Sequence, residues 1–457
     1  MISILFDSVF RSLRRAPLLS LLVVLLIALG VGASVPMMTV HHHLKSAPLP
    51  EKGKQLFFVQ LDNWRKEEAF YRPDNPPNAI TYQDALNLEK SDIPSYQAPM
   101  YLSNTTVSFE DNSALRPLKV PTRMTGKDFF SMFNVPFLAG GMWSQKDESE
   151  RRQVAVISRI LSERLFGDVS GLGKRVLING RYFTVVGIID RWSLTPRFYD
   201  MNDPFGAVEH IYLPSTLIFS LGIQPEYWRA PYGLEQPLSA ASFEPLFINS
   251  EVIFIQYWVQ LDTPEKVQFY REYLDRYVTD QKALGRFPRE LNNRLSDTTK
   301  WIEKSTETSQ DAGGVVALLV IMLLFFGVCL VNTISILLTK FLRYKNHSSV
   351  LRALGAPQRF IFVQYLLEVV GIALVGGVLG IVFAHYGLQF ARSLYEVDAA
   401  QAAVGLLTDQ SFNEFWVLDT SMILTSLALA IVGGLLAGIY PAWRVCKIPP
   451  SVELKSN

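Results

Sequence analysis

The chain has 457 residues and 43 Lys and Arg against 42 Asp and Glu, a formal net charge of +1, so nothing in its charge points to nucleic acid. Charged residues are 19% of the total, against roughly 25% in soluble domains, which favours a membrane protein over a soluble one. Its two cysteines, Cys329 and Cys446, fall in or beside apolar stretches and cannot staple a secreted domain, and the length allows two or three folding units at roughly 150 residues each.

The first long apolar run, Leu18 to Met38, holds no charge and is long enough to cross a hydrocarbon core of about 30 Å. It is too long for a signal-peptide core and lacks a small-residue cleavage site followed by a soluble start, so it reads as an uncleaved anchor, with cleavage as the alternative. The run His41-His42-His43 follows. Adjacent residues on regular structure cannot all face one ion, so a polar membrane exit is preferred to a metal site.

Residues 39–311 then mix strand and helix patterns. Gln55–Leu61 and Met100–Phe109 read as strands, with a helix over Thr81–Lys90 between them. A short strand Val154–Ser158 leads into a helix Arg159–Phe166. Arg175–Ile189 reads as a hairpin turning at Asn179-Gly180, a dipeptide suited to the tight turn. Leu194–Gln236 is rich in Pro, Gly and aromatics and reads as long ordered loops. Ile253–Leu261 reads as a strand and Pro264–Asp280 as a helix with proline in its first turn. Residues 291–311 carry no Gly or Pro and read as a stalk helix running into the next span, with Leu295, Trp301 and Ile302 as its apolar positions. A surface helix broken at Gly313-Gly314 is the alternative. The external region as a whole divides into a membrane-proximal part, 39–123 and 240–290, and an inserted part, 124–239.

Three further spans are expected at 313–338, 360–384 and 422–440, joined by segments 339–359 and 385–420 and followed by a tail, 441–457. Basic residues sort these segments. Arg11, Arg14 and Arg15 precede the first span; Lys340, Arg343, Lys345, Arg352 and Arg359 lie between the second and third; Arg444, Lys447 and Lys455 end the chain. The 385–420 segment instead carries Glu396, Asp398, Asp409, Glu414 and Asp419 against the one Arg392. The positive-inside rule therefore places both termini and 339–359 in the cytoplasm and 39–311 outside. The fold class is a membrane α-helical protein with four transmembrane helices and a large α+β external domain inserted between the first and second. Gly30, Gly32, Gly376, Gly380, Gly434 and Gly438 are the small residues where these helices would touch, within the chain or across a dimer.

Candidate chemistry is sparse. Gly167–Arg175 looks like a phosphate-binding loop but has Asp168 and Arg175 where Gly and Ser or Thr are needed, and a strand follows where a helix must begin. It reads as a turn. Glu368 is the one acid well inside a span and is either a functional group or a structural hydrogen-bond partner near the interface. No catalytic set and no metal site is legible. The informative cytoplasmic stretch is Arg343–Gln358, basic at first and then carrying Val350, Leu351 and Leu354 at helical spacing. Gly355 is placed to end that helix and Pro357 to start the next. A short amphipathic helix here suits docking into a partner's groove or lying on headgroups.

At these residues the sequence resembles the MacB-like (FtsX-like) ABC transporter permeases, over nearly its whole length. FRSLRRAPLLSLLVVLLIALGVG (Phe10–Gly32) is similar to that family's amphipathic leading helix, here 1–17, and its first span. LRALGAP (Leu351–Pro357) and QYLLEVVGIALVGGVLG (Gln364–Gly380) resemble its coupling segment and third span, and YPAWRVCKIPPSVELK (Tyr440–Lys455) its C-terminal signature. MTGKDFFSMFNVPFLAGG, QVAVISRILSERLFG and GLGKRVLINGRYFTVVGII resemble its periplasmic domain. Two departures stand out: His347, Ser348 and Ser349 replace the usual Glu-Ile-Gly before the coupling helix, and Gly141 replaces an Arg.

The resemblance implies a multi-pass permease subunit of the bacterial inner membrane, with Val350, Leu351, Arg352, Ala353, Leu354, Gly355 and Ala356 contacting an ATPase. ATP and Mg would be bound by that separate ATPase dimer and no cofactor by this chain. A second permease, the same or a related chain, and a periplasmic adaptor leading to an outer-membrane duct are the further implied partners. Export of a periplasmic substrate by mechanotransmission is the leading implied function. Lipoprotein release, or a signalling permease acting on wall hydrolases or a sensor kinase, are the alternatives.

Overall fold

The computed structural model describes residues 16–45, 49, 52–108, 117–167, 171–192, 194, 197–202, 208–232, 247–308, 310–343, 350–352, 355–402 and 420–447. The expected leading helix lies outside these residues, apart from its last two positions. The chain forms two compact units, one built on the long apolar helices and one centred on residues 44–309.

Among the described residues, four helices make the first unit: α1 (Pro17–Lys45), α9 (Gln310–Arg343), α10 (Gln358–Ala402) and α11 (Thr420–Cys446). Each contains a stretch long and apolar enough to span a membrane, at Pro17–Thr39, Ala317–Arg343, Gln358–Phe390 and Thr420–Cys446. α10 continues well past the expected end of its span, so the first part of the 385–420 segment is helical rather than loop. Beyond Gly387, neither Gly nor Pro occurs before Ala402 to break the helix.

The glycines explain how these helices pack. A Cβ on Gly30 would fall 2.5 Å from Phe326 of α9, and one on Gly32 2.6 Å from Phe383 of α10. Gly376 and Gly380 face Ile27 and Val31 of α1 at 3.0 and 2.9 Å, while Gly434 and Gly438 of α11 face Ala373 and Val369 of α10 at 2.7 and 2.8 Å. All six expected small residues thus sit where two helices of the same chain meet. A side chain there would press on atoms of the facing helix that already lie close, so the small residues let the helices approach.

The second unit is a mixed sheet of 11 described strands with helices on both faces. Its strands are β1 (Leu56–Gln60), β2 (Ile80–Thr81), β3 (Tyr96–Ser108), β4 (Leu118–Thr125), β5 (Phe137–Gly140), β6 (Val154–Ser158), β7 (Arg175–Ile178), β8 (Arg181–Ile189), β9 (Ile211–Pro214), β10 (Ile253–Gln260) and β11 (Arg294–Asp297). The main order is β11-β1-β10-β3-β4-β9-β6-β8-β5. Among these strands, β4–β9 and β6–β8 are the parallel pairs. β1 and β10 are buried on both faces, and their side chains alternate between two cores. Phe57, Val59, Tyr257 and Val259 enter one; Leu56, Phe58 and Trp258 enter the other.

Helices close each core. On the first face lie α2 (Tyr82–Leu88) and α7 (Pro264–Ala283), which buries Tyr270, Leu274 and Val278, spaced by four, as one stripe. Thr263 caps α7 by accepting from the Lys266 amide at 3.3 Å, and Pro264 fills the first helical position. On the second face lie α3 (Asp128–Met132) and α8 (Thr298–Thr308). The shorter helices α4 (Gln145–Ser149), α5 (Arg159–Phe166) and α6 (Ile218–Leu221) complete the unit. Asn179 and Gly180 both take positive φ, 46° and 76°, and make the β7–β8 turn.

Three expectations change here. One hydrogen-bonded sheet runs through both expected subdomains, and their boundary at 123/124 falls inside β4. The 194–236 stretch is not all loop, because Ile211–Pro214 inserts between β4 and β6. The stalk helix begins only at Thr298. Residues 294–297 extend instead and pair with β1, Leu295 opposite Val59, so the otherwise open edge of β1 has its backbone groups partnered.

Candidate coupling site

The segment between α9 and α10 is held to the bundle by several contacts. Residues 350–352 are helical, and the turn closes on Gly355 at φ +97°. The Gly355 amide donates to Arg352 O and the Ala356 amide to Leu351 O, both at 3.0 Å. This paired pattern satisfies the last carbonyls of a helix and needs the left-handed conformation that glycine takes without strain. Pro357 then stands just before α10, its carbonyl accepting from Phe360 at 3.0 Å. Leu351 and Ala356 pack against the bundle core, whereas Val350 is 49% exposed. Arg352 donates from Nη1 to the carbonyl of Cys446, the last residue of α11, at 3.1 Å. A cation at a helix C-terminus both fills an orphan carbonyl and complements the helix dipole.

Three of the expected coupling residues, Leu351, Arg352 and Ala356, therefore face the chain itself. Leu351, with the spacing to share an outward face with Leu354, is half-buried against the bundle core instead. Ala353 and Leu354 lie outside the described residues.

A buried ion pair lies near the same end of the bundle. Lys340, a loop cation by its place in the sequence, sits in the last turn of α9 with its side chain 1% exposed. Its Nζ is 2.5 Å from Oε1 of Glu368 on α10 and donates to Oγ of Ser20 on α1 at 2.8 Å. Beside it, Phe341 and Tyr365 meet ring to ring at 4.3 Å. An acid in an apolar span signals a missing cation, and the neighbouring helix end supplies one.

The residues expected on a stalk are placed inside the other unit. Trp301 stacks on Phe58 at 3.8 Å and donates from Nε1 to Phe198 O at 2.9 Å, and Ile302 is fully buried beside it. Thr298 Oγ1 donates to Leu56 O at 3.4 Å, which ties the start of α8 to β1.

Next to this anchor lies a charge network that sequence reading missed. Arg123 of β4 is wholly buried, with Nη1 2.8 Å from Asp200 Oδ2 and Nε 3.0 Å from Glu209 Oε1, while its Nη2 also reaches Glu209. Arg197 and the Tyr199 hydroxyl donate to Glu209 at 3.2 and 3.0 Å, and Gln256 donates to Asp200 at 2.8 Å. Burial pushes the Glu209 carboxyl up, but Arg123 and Arg197 overcome it and hold the group down at about 2. Burial likewise opposes charge on Arg123, and the two carboxylates keep it protonated beyond the usual range. Arg123 and Gln256 are far in sequence from the Arg197–Glu209 stretch, and the set carries no local signal. Among the described residues, no group of three His, Cys, Asp or Glu is placed to hold a metal ion.

These features define a permease-type membrane protein: four apolar helices with a mixed-sheet domain between the first and second. Residues 20–273 match the family described as the MacB-like periplasmic core domain, and residues 319–450 match the FtsX-like permease C-terminal family. The chain belongs to the MacB-like, FtsX-type family of ABC permeases. It is 21% identical over 377 residues to the macrolide export ATP-binding/permease protein MacB of Chromobacterium violaceum, covering 79% of this chain and 47% of that protein. It is 26% identical over 334 residues to the pyoverdine export ATP-binding/permease protein PvdT of Pseudomonas entomophila, covering 72% of this chain and 42% of that protein. The chain thus spans about half the length of these relatives. The crystal structure of the periplasmic region of MacB from Actinobacillus actinomycetemcomitans aligns over 57% of this chain and 97% of that one, at 14% identity and a TM-score of 0.36.

Proposed function

We propose that this chain is the permease subunit of an ABC system in the bacterial inner membrane, in which a separate ATPase dimer binds ATP and Mg and drives a change of shape in the periplasmic domain. A second permease, the same or a related chain, completes the assembly, and a periplasmic adaptor with an outer-membrane duct receives what is moved. The substrate is exported from the periplasmic side by mechanotransmission, with no path through the membrane helices. The observation that carries this reading is the coupling segment. Its turn is closed by two backbone hydrogen bonds, tied to α11 through Arg352 and seated on the bundle through Leu351, while Val350 stays exposed. A push on such a segment reaches the helices, because packed interiors transmit displacement rather than absorb it.

The test is Val350→Asp. A charge at an apolar contact is poorly solvated and costs several kcal/mol, on the order of 3, when its partner surface cannot neutralise it. The variant is expected to insert and fold, since Val350 lies outside the spans and is about half exposed, but to lose its ATPase on co-purification. Retention of the ATPase at the wild-type level would place the ATPase contact elsewhere and remove the support drawn from this segment.

A further inference from the structure

The Lys340–Glu368 pair is an expensive way to hold helices together. Both charges are withdrawn from water, at 1% and 7% side-chain exposure, inside helices that span a membrane. For cohesion alone, two apolar side chains of similar size would serve as well or better. Apolar contact is non-directional, however, and by itself assigns no donor to an acceptor across two helices. A charged pair with a fixed donor and acceptor sets a register.

Here that register joins three helices. Lys340 comes from α9, Glu368 from α10 and Ser20 from α1, and Ser20 accepts from Lys340 at 2.8 Å. α9 and α10 are the two helices that the coupling segment connects, and Lys340 lies in the last turn before it. The fourth helix, α11, is tied to the segment separately through Arg352 and Cys446 O.

We infer that Lys340 and Glu368, oriented by Ser20, form a positioning pair that makes α1, α9 and α10 move as one body when the coupling segment is pushed. This rests on the coupling reading above. Without the pair, a push would be spent in sliding α9 against α10, and the domain between α1 and α9 would not receive it. The pair touches neither nucleotide nor cargo, so its loss should separate ATP hydrolysis from the response of that domain.

The experiment uses the full chain purified with the ATPase that accompanies it. Hydrogen–deuterium exchange is followed in residues 52–308 with and without ATP and orthovanadate, and ATP turnover is measured on the same preparations. Three variants are compared. Lys340→Met with Glu368→Met keeps side-chain volume and removes both charges, so it is expected to fold and to hydrolyse ATP near the wild-type rate. Its nucleotide-dependent change in exchange should fall about fivefold or more, the lower end of ordinary coupling between sites. The reversed pair, Lys340→Glu with Glu368→Lys, restores the register and should recover most of the response. Lys340→Met alone leaves Glu368 buried without its cation and should reduce the yield of folded protein. A wild-type response in the doubly apolar variant overturns the inference and leaves the pair a structural contact. Absence of any nucleotide response in the wild type overturns the coupling reading and this inference with it.

Discussion

Replacing Arg123 by Met tests whether the buried network holds the periplasmic-type domain together. The side chain is wholly buried, contacts both Asp200 and Glu209, and lies 5.2 Å from the Tyr199 ring centre. Met fills similar volume, so the loss is mainly of charge. Removing one partner of a buried pair costs about 3–5 kcal/mol. The Glu209 carboxyl gives an independent figure. It is held at about 2 against 4.5 for a free glutamate, worth on the order of 3 kcal/mol at neutral pH. A loss of that size should lower the melting temperature by roughly 6–20 °C, at about 2–4 °C per kcal/mol for a domain of this size. The pH dependence has a definite sign. A carboxyl whose pKa falls on folding stabilises above its unfolded value, and that stability drains away as pH drops from about 4.5 toward about 2. The variant has little of this term to lose, so the gap between variant and wild type should narrow at acid pH. Thermal unfolding of the purified chain, followed by tryptophan fluorescence at pH 7 and pH 3, measures both. A variant that melts with the wild type at pH 7, or a gap equally wide at pH 3, would refute the reasoning.

Three other outcomes are expected. Gly380→Leu places a side chain where a Cβ already comes within 2.9 Å of Val31, so it should cost about 1–3 kcal/mol or more and reduce folded protein in membranes, whereas Gly327→Leu, with open space at its Cβ, should be neutral; size-exclusion profiles in detergent compare them. Trp301→Ala removes the indole stacked on Phe58 and should destabilise the sheet domain by about 3–5 kcal/mol, read from its denaturant midpoint. In a cysteine-free background, Lys146→Cys should react with an impermeant thiol reagent applied from the periplasmic side and Lys447→Cys only after the membrane is opened. The reverse pattern would invert the proposed topology.

The four spans are legible because each is a long apolar run, a signal that depends only on composition. The β7–β8 turn and the start of α7 are legible because Asn179-Gly180 and Pro264 act locally. What stays hidden is decided by distant partners. Residues 294–297 have helix-compatible side chains, yet the bare edge of β1 claims them as a strand. Ile211–Pro214 is read as a strand only beside β4 and β6. Lys340 counts as a loop cation until its helix is seen to continue past it, and Leu351 has the spacing of an outward face but packs against the bundle core. Arg123, Asp200 and Glu209 are joined only by the fold.

The close seats of Gly30 and Gly32 also bear on how the protein is made. α1 is synthesised before its partners Phe326 and Phe383, which lie roughly 300 to 350 residues further along the chain. At roughly 5–20 residues per second, the ribosome takes on the order of tens of seconds to reach them. For that interval α1 must wait in the bilayer with its small-residue face against lipid or an insertion factor, while the sheet domain folds. Ser20 and Ser34, whose side chains later meet Lys340 and the Met322 carbonyl, wait with it. Biogenesis of this chain therefore favours a cell that can shelter a single half-finished helix, and a shortened insert between α1 and α9 should shorten its exposure.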